Sequence, residues 1–294
     1  MRTNRPALAR MMIGVLALLI IAPSVWTAEH HAMRGIVLKV DPARKSFVVS
    51  HDSVPGLMGA MTMSFDVSDP TELEGVMPGM PVEFTLVLER QSAHVEHVRI
   101  RQHESVEQDP LTARRLKLLN EIIGTGSSAV AVGQAVPDFT LTDQARHQIS
   151  LSQLRGAVVA INFIYTSCAL PQFCFRMANS FGVLAKRFKD RTSRDLVLLT
   201  VTFDPVRDQP EQLAEYASQW KANHDVWHFL TGTVADVKRV CGLFEVDFFP
   251  DEGLINHSTH TAIIDRHGKL FAKIEGNEFT TTQLGDLVET ALKH

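Results

Sequence analysis

The run Val158-Val-Ala-Ile-Asn-Phe-Ile164 constrains this chain more than any other feature, because it has strand length, is almost wholly apolar, and ends in Cys168-Ala-Leu-Pro-Gln-Phe-Cys174. Such a run reads as a buried strand. Two of only three cysteines in 294 residues therefore stand where a core strand gives way to a loop. A second apolar run covers 196–202, and 262–265 with 270–274 reads as a hairpin turning at Arg266-His-Gly268. Helical patterns lie between and after them, at about 177–188, 209–222, 234–244 and 282–293, with Thr233 and Asp236 forming an N-cap pair for the third. From Gly133 to His294 the alternation of strand and helix predicts an α/β sandwich.

The preceding region has a different period. Gly35-Ile-Val-Leu-Lys-Val40 and Ser46-Phe-Val-Val-Ser50 flank Asp41-Pro-Ala-Arg-Lys, a turn with Pro at a favourable position. Three more strand-length runs, 61–67, 82–88 and 94–100, are split by Asp69-Pro70 and Met77-Pro-Gly-Met-Pro81. Five short strands within 33–101 are best closed as a small all-β, OB-like barrel, which removes exposed edges. Residues 102–132 form a linker with a short amphipathic helix at 111–123 and a flexible joint at Gly124-Thr-Gly-Ser-Ser128. The expected architecture is thus two domains, the barrel followed by an α/β domain of thioredoxin type, the fold that places reactive cysteines where a first core strand meets a helix.

The N-terminus sets the compartment. Arg2, Arg5 and Arg10 precede an uncharged run at 11–22, then Pro23, Ser24 and small residues to Ala28, the pattern of a secretory signal. The run is shorter than the roughly 20 residues of a spanning helix. Trp26 makes a poor cleavage site after Ala28, so residues 1–28 are a signal peptide or an uncleaved anchor to the inner membrane. Either places the body of the chain in a bacterial periplasm, where disulfides persist. A net charge of −4 with 21% charged residues gives no basic excess, which argues against nucleic acid as a partner.

Cysteines six apart on a helix would lie about 9 Å apart along the axis and about 120° around it. Cys168 and Cys174 can act together only if Ala169, Leu170 and Pro171 loop back, with Pro171 in the first helical turn. Cys174 then lies near a helix N-terminus, where the dipole is expected to lower its thiol pKa. Two thiols can redox-cycle or form a structural disulfide. With the imidazole of His257, in Asn256-His-Ser-Thr-His260, they form a three-coordinate set suited to Cu(I), and with a further weak ligand to Cu(II). His260 points toward the following strand and reads as a bystander. Cys241, on a helical pattern, reads as a small buried apolar residue.

The barrel carries a second soft cluster. Met61 and Met63, two apart on a strand, point to one face, with Met58 in the loop before them and His51 at the preceding strand end. Thioethers hold Cu(I) reversibly where thiols would oxidise, though they are open to sulfoxidation. A mature terminus at Glu29-His-His31 would offer a square-planar Cu(II) site.

Residues 133–294 resemble the Sco/SenC family of thioredoxin-like copper proteins. The resemblance rests on Val136-Pro-Asp-Phe139, Asn162-Phe-Ile-Tyr-Thr-Ser-Cys168, Val201-Thr-Phe-Asp-Pro205 with Arg207-Asp208, and His257-Ser258 ahead of Ile263-Ile-Asp-Arg-His-Gly268. It implies copper ligation by Cys168, Cys174 and His257, with Asp204 supporting the metal loop from behind. The commoner family motif has three residues between the cysteines and a Pro after the second; here five intervene and Phe175 follows. Residues 33–101 resemble the CusF family of periplasmic copper-binding barrels through Gly35-Ile-Val, His51-Asp52 and Met61-Thr-Met63-Ser-Phe65. That resemblance implies His51, Met61 and Met63 as ligands, with Met58 standing where a capping tryptophan is found in the best-known members. Together the two imply a metallochaperone that passes Cu(I) from the Met/His site to the Cys/His site and on to the copper-centre subunit of cytochrome c oxidase. The alternatives are a thiol–disulfide oxidoreductase acting on exchange partners, with Cys168 attacking and Cys174 resolving, and copper tolerance by sequestration.

Overall fold

Inward and outward side chains alternate along five antiparallel strands in the N-terminal region: β1 (Glu29–Asp41), β2 (Ser46–His51), β3 (Met61–Asp66), β4 (Pro81–Leu88) and β5 (Ala93–Ile100). The computed structural model describes residues 28–101, 129–191, 195–251 and 254–294. The predicted signal or anchor, apart from Ala28, and the linker's helix at 111–123 with its Gly124–Ser128 joint lie outside the described residues. The strands form one sheet in the order β3-β2-β1-β4-β5. Its inner face packs Phe47, Phe65 and Phe84, with ring centroids 5.1–6.0 Å apart, over Met33, Val37, Val49 and Val82.

The expected closed barrel is not formed: the five strands make an open, barrel-like sheet with two edges. Its two edge strands meet at one parallel bridge, Val67–Val95. Beyond Val67 the chain turns at Asp69, whose carboxylate caps the 3-10 turn Pro70–Leu73, so no strand remains to pair further. At its other end β1 begins earlier than expected. Glu29, His30 and His31 pair with Leu88, Val87 and Leu86 of β4, which commits this backbone to the sheet rather than to a Cu(II) ion.

The C-terminal domain contains β6 (Thr140–Asp143), β7 (Gln148–Ser150), β8 (Val158–Ile164), α1 (Arg176–Arg187), β9 (Leu196–Thr202), α2 (Pro210–Gln219), β10 (Trp227–Thr231) and α3 (Val234–Leu243). It continues through β11 (Phe248–Asp251), β12 (Leu254–His257), β13 (His260–Ile264), β14 (Leu270–Glu275) and α4 (Thr281–Leu292). Seven strands order as β14-β13-β8-β9-β10-β6-β7, and β11 pairs with β12 apart from them. β8, β9 and β10 run parallel and buried at the centre, while the β13–β14 hairpin joins β8 antiparallel. This is the thioredoxin-type arrangement expected. Three of the four helices begin at residues suited to a first turn: Pro210 opens α2, Thr233 accepts from Asp236 N–H at α3, and a Thr280/Gln283 capping box starts α4.

The two domains dock through α4. This helix packs on α1, β8 and β13 of its own domain and on β1 and β2 of the barrel. Ile36 and Leu38, on the outer face of β1 and only 4% and 1% exposed, join the core of the C-terminal domain. Burying two such side chains stabilises the contact by about 1.5–3 kcal/mol each, as an upper estimate. Gly79 (φ +91°) lies so close to β14 that a Cβ would stand 2.5 Å from the Lys273 carbonyl oxygen.

Candidate metal centres

Cys168 and Cys174 are brought together as the loop-back argument requires. β8 ends at Ile164, Cys168 N–H donates to Tyr165 O at 3.4 Å, and the chain re-enters helix through a π-helical turn, Pro171–Phe175, before α1. The wider turn moves Cys174 out of α1 proper and buries it at 2% exposure, while Cys168 stays half-buried. Both are free thiols.

Their electrostatics reverse the expectation for Cys174. The Cys174 thiol donates to the Cys168 sulfur and, with backbone groups of Leu170 and Cys174 and the Tyr165 hydroxyl, lowers the Cys168 thiol to about 5 against the opposing cost of burial. Serving as that donor, buried beside the resulting thiolate, pushes Cys174 up. The hydrogen bond to its neighbour and the loss of water outweigh any helix dipole. Burial, and then the neighbouring cysteines, push the Tyr165 hydroxyl to about 12, so it remains a hydrogen-bond donor. Cys241 is fully buried and its thiol is raised by desolvation, consistent with a packing role.

His257 ends β12 within a cage of rings: its centroid lies 4.5 Å from Phe203, 6.1 Å from Tyr165 and 6.3 Å from Phe173. Its Nδ1–H donates to Ser258 O at 3.1 Å, which leaves Nε2 as the nitrogen carrying the lone pair. Burial lowers its pKa, so the ring is neutral near pH 7. Tyr165 adjoins both the thiols and this ring, but among the described residues no three His, Cys, Asp or Glu side chains converge closely enough to enclose an ion. The thiols meet; His257 stands behind Tyr165. His260 begins β13 opposite Glu275.

Asp204 lies just past β9, where its N–H donates to Thr202 Oγ1 and its carboxylate sits 3.5 Å from Arg207. The carboxylate that reaches the cysteine loop is Asp208. Only 1% exposed, it accepts from Thr166 N–H (3.0 Å), Thr166 Oγ1 (2.5 Å) and Thr202 Oγ1 (2.5 Å), tying β9 to the residue two before Cys168. The signal in the sequence was Asp208 itself, the next acid after Asp204, lying between the apolar run 196–202 and the next helical pattern, where a buried carboxylate demands partners.

In the barrel, strand register builds the second site. His51 pairs with Met61 and Val49 with Met63 across β2 and β3, so all four share the inner face and continue the row of Phe65 out of the core. His51 is 1% exposed, and its Nδ1–H donates to Asp52 O at 2.7 Å. Its Nε2 is buried with no hydrogen-bond partner. Leaving such an atom unsatisfied costs about 1–3 kcal/mol, so a lone pair placed here fits a ligand role. An imidazole nitrogen beside two thioethers fits a soft monovalent ion. Met61 is 48% exposed at the mouth and Met63 half-buried. Met58 closes a tight loop by pairing with Val54 and packs against the barrel core. Gly35 permits the close strands here, since a Cβ would stand 2.5 Å from Ser50 O and 2.8 Å from His51 Cα.

Comparison with known proteins gives each domain a family. A model described as SCO1/SenC matches residues 129–292, and one described as copper binding periplasmic protein CusF matches 30–100. A SCO2-like protein of Rickettsia typhi is 31% identical over 149 residues, covering 48% of this chain and 68% of that protein. The SCO1 protein homolog of Bacillus subtilis is 33% identical over 97 residues, covering 33% of this chain and 49% of that protein. Among solved structures, BsSco, described as a member of the Sco family of cytochrome c oxidase assembly proteins, aligns at 25% identity with a TM-score of 0.48, covering 56% of this chain and 98% of that one.

Proposed function

The chain belongs to the SCO1/SenC family, and from that premise we propose that it is a periplasmic copper metallochaperone with two sites in one polypeptide. Cu(I) is taken up by His51, Met61 and Met63, with Met58 as a further soft donor, and passed to Cys168, Cys174 and His257. Asp204 and Asp208 support the second site from behind, Asp208 by fixing the loop. The recipient in this reading is the copper-centre subunit of cytochrome c oxidase, the partner that the Sco/SenC resemblance implies.

One observation carries the relay. The short segment 277–286 touches the surroundings of both donor sets. Asn277 Nδ2 donates to Gln172 O, between the two cysteines, at 2.6 Å. Gln283 Nε2 donates to Ser50 O and to Asp52 Oδ1, either side of His51, at 3.2 and 3.0 Å. Sites so joined exchange an ion without either needing very tight affinity, because the acceptor is held at high effective concentration. The ligands also grade in the right order, from neutral thioethers to a thiolate stabilised near neutral pH.

A thiol–disulfide role is the second reading, and the low pKa of Cys168 beside the protonated Cys174 favours it. The pair suits an attacking and a resolving thiol. The test is transfer: reduced protein loaded with one Cu(I) is mixed with an apo, reduced oxidase copper-centre domain. Metal should arrive there from the parent and not from the Cys168→Ser/Cys174→Ser protein. Equal delivery by both would end the relay reading.

A further inference from the structure

The outer face of the metal-binding strands is held by one carboxylate from the other domain. Asp286 of α4, 16% exposed at its side chain, accepts from Ser50 Oγ at 2.8 Å and from Thr62 Oγ1 at 3.0 Å. Ser50 and Thr62 are direct cross-strand partners, and the next pair along the ladder is His51 and Met61. Because side chains alternate, the hydroxyls face α4 while the ligands face inward. Thr62 lies between Met61 and Met63. β3 is also an edge strand: among the described residues β2 is its one ladder partner, and its far end is bridged to β5 at Val67–Val95. Among the same residues the end bearing the methionines has no such bridge, and Asp286 ties it down on its outer side.

Asp286 is itself fixed. Arg187 of α1 donates to it at 2.7 Å and to Glu289 at 3.0 Å, and Gln283, one turn earlier on α4, grips the backbone of Ser50 and the side chain of Asp52. A charge-assisted acceptor held by a guanidinium is a rigid anchor.

We propose that Asp286 is a positioning residue for the Met/His site, so that copper affinity in the N-terminal domain depends on the C-terminal domain. The anchor sets the register and splay of β2 and β3, and with them the separation of the His51 and methionine donor atoms. This rests on the Met/His site binding Cu(I), as read above. The coupling is reciprocal: an ion that tightens β2 against β3 also strengthens the grip of the barrel on α4.

The test uses the full chain in the Cys168→Ser/Cys174→Ser background, so that Cu(I) competition titration reports the barrel alone. Asp286→Ala should weaken Cu(I) about tenfold, within the range of measured couplings. Arg187 keeps Glu289, so α1 and α4 remain joined. From the barrel side, Ser50→Ala with Thr62→Val should weaken Cu(I) similarly, and adding Asp286→Ala should cause little further loss, because all remove the same contacts. This second variant decides the matter should Asp286→Ala fail to fold. In metal-free protein, amide exchange should quicken at 61–64 while the strand core around Phe84 stays protected. Cu(I) affinity within twofold of the parent in either variant, or losses that simply add, would overturn the proposal. A Cys168→Ser/Cys174→Ser parent that binds no Cu(I) would overturn the reading of the Met/His site itself.

Discussion

Replacing Cys174 by Ala removes the leading cause of the low Cys168 pKa, and its consequence can be worked out. With Cys168 lowered from the ordinary 9.0 to about 5, its thiolate fraction at pH 7 is about 100 times that of an unperturbed thiol. Intrinsic nucleophilicity falls with pKa at a Brønsted slope of about 0.4–0.5, so a drop of about 4 costs roughly 40- to 100-fold in reactivity per thiolate. The two effects nearly cancel, and the alkylation rate at pH 7 should lie within about threefold of a free cysteine's. The discriminating quantity is the midpoint of the pH profile. Pulse alkylation of the reduced, metal-free protein with iodoacetamide, read by peptide mass spectrometry, isolates Cys168 because Cys174 and Cys241 are buried. The profile should titrate near pH 5 in the parent and shift upward toward the ordinary thiol value in Cys174→Ala. A parent midpoint near 9, or an unmoved midpoint in the variant, would refute the reasoning.

Asp208→Ala should destabilise the reduced protein by about 2–4 kcal/mol in urea unfolding, because it strands the buried Thr202 donor and the half-buried Thr166 donors. His257 yields a pH signature. Its folded pKa lies below the unfolded 6.5, so the unfolded chain takes the proton first. The stability conferred by the neutral ring is whole above about 6.5 and is lost as pH falls from there through the folded value. Unfolding curves of the metal-free protein should therefore show a steeper loss of stability below pH 6.5 than those of His257→Gln; parallel profiles would count against a buried neutral ring.

Where burial is written in composition, the fold was legible. β8 and β9 coincide with the apolar runs at 158–164 and 196–202, because a strand covered on both faces needs no alternation. Short strands with polar residues were not seen: β6 and β7 make a three-rung hairpin, and β10 mixes Trp227 and His228 into five residues. The candidate ligand residues were chosen on softness and spacing, but their electrostatics could not be read that way. The direction of the Cys174 shift depends on a π-helical turn that buries one thiol and leaves its neighbour half-buried, which no spacing encodes. Domain docking had left a trace in Ile36-Val37-Leu38. An unbroken apolar run in a strand of a two-faced sheet means that both faces are covered, Val37 by the barrel and Ile36 and Leu38 by the second domain.

Cu(I) stoichiometry tests the two-site account most directly, measured on the reduced, signal-free chain beside its Cys168→Ser/Cys174→Ser counterpart. The account predicts two ions in the first and one in the second, the survivor being lost when Met61→Ile and Met63→Ile are added. One ion in both proteins would confine copper to the methionine site, leave the cysteines to thiol chemistry, and contradict the relay.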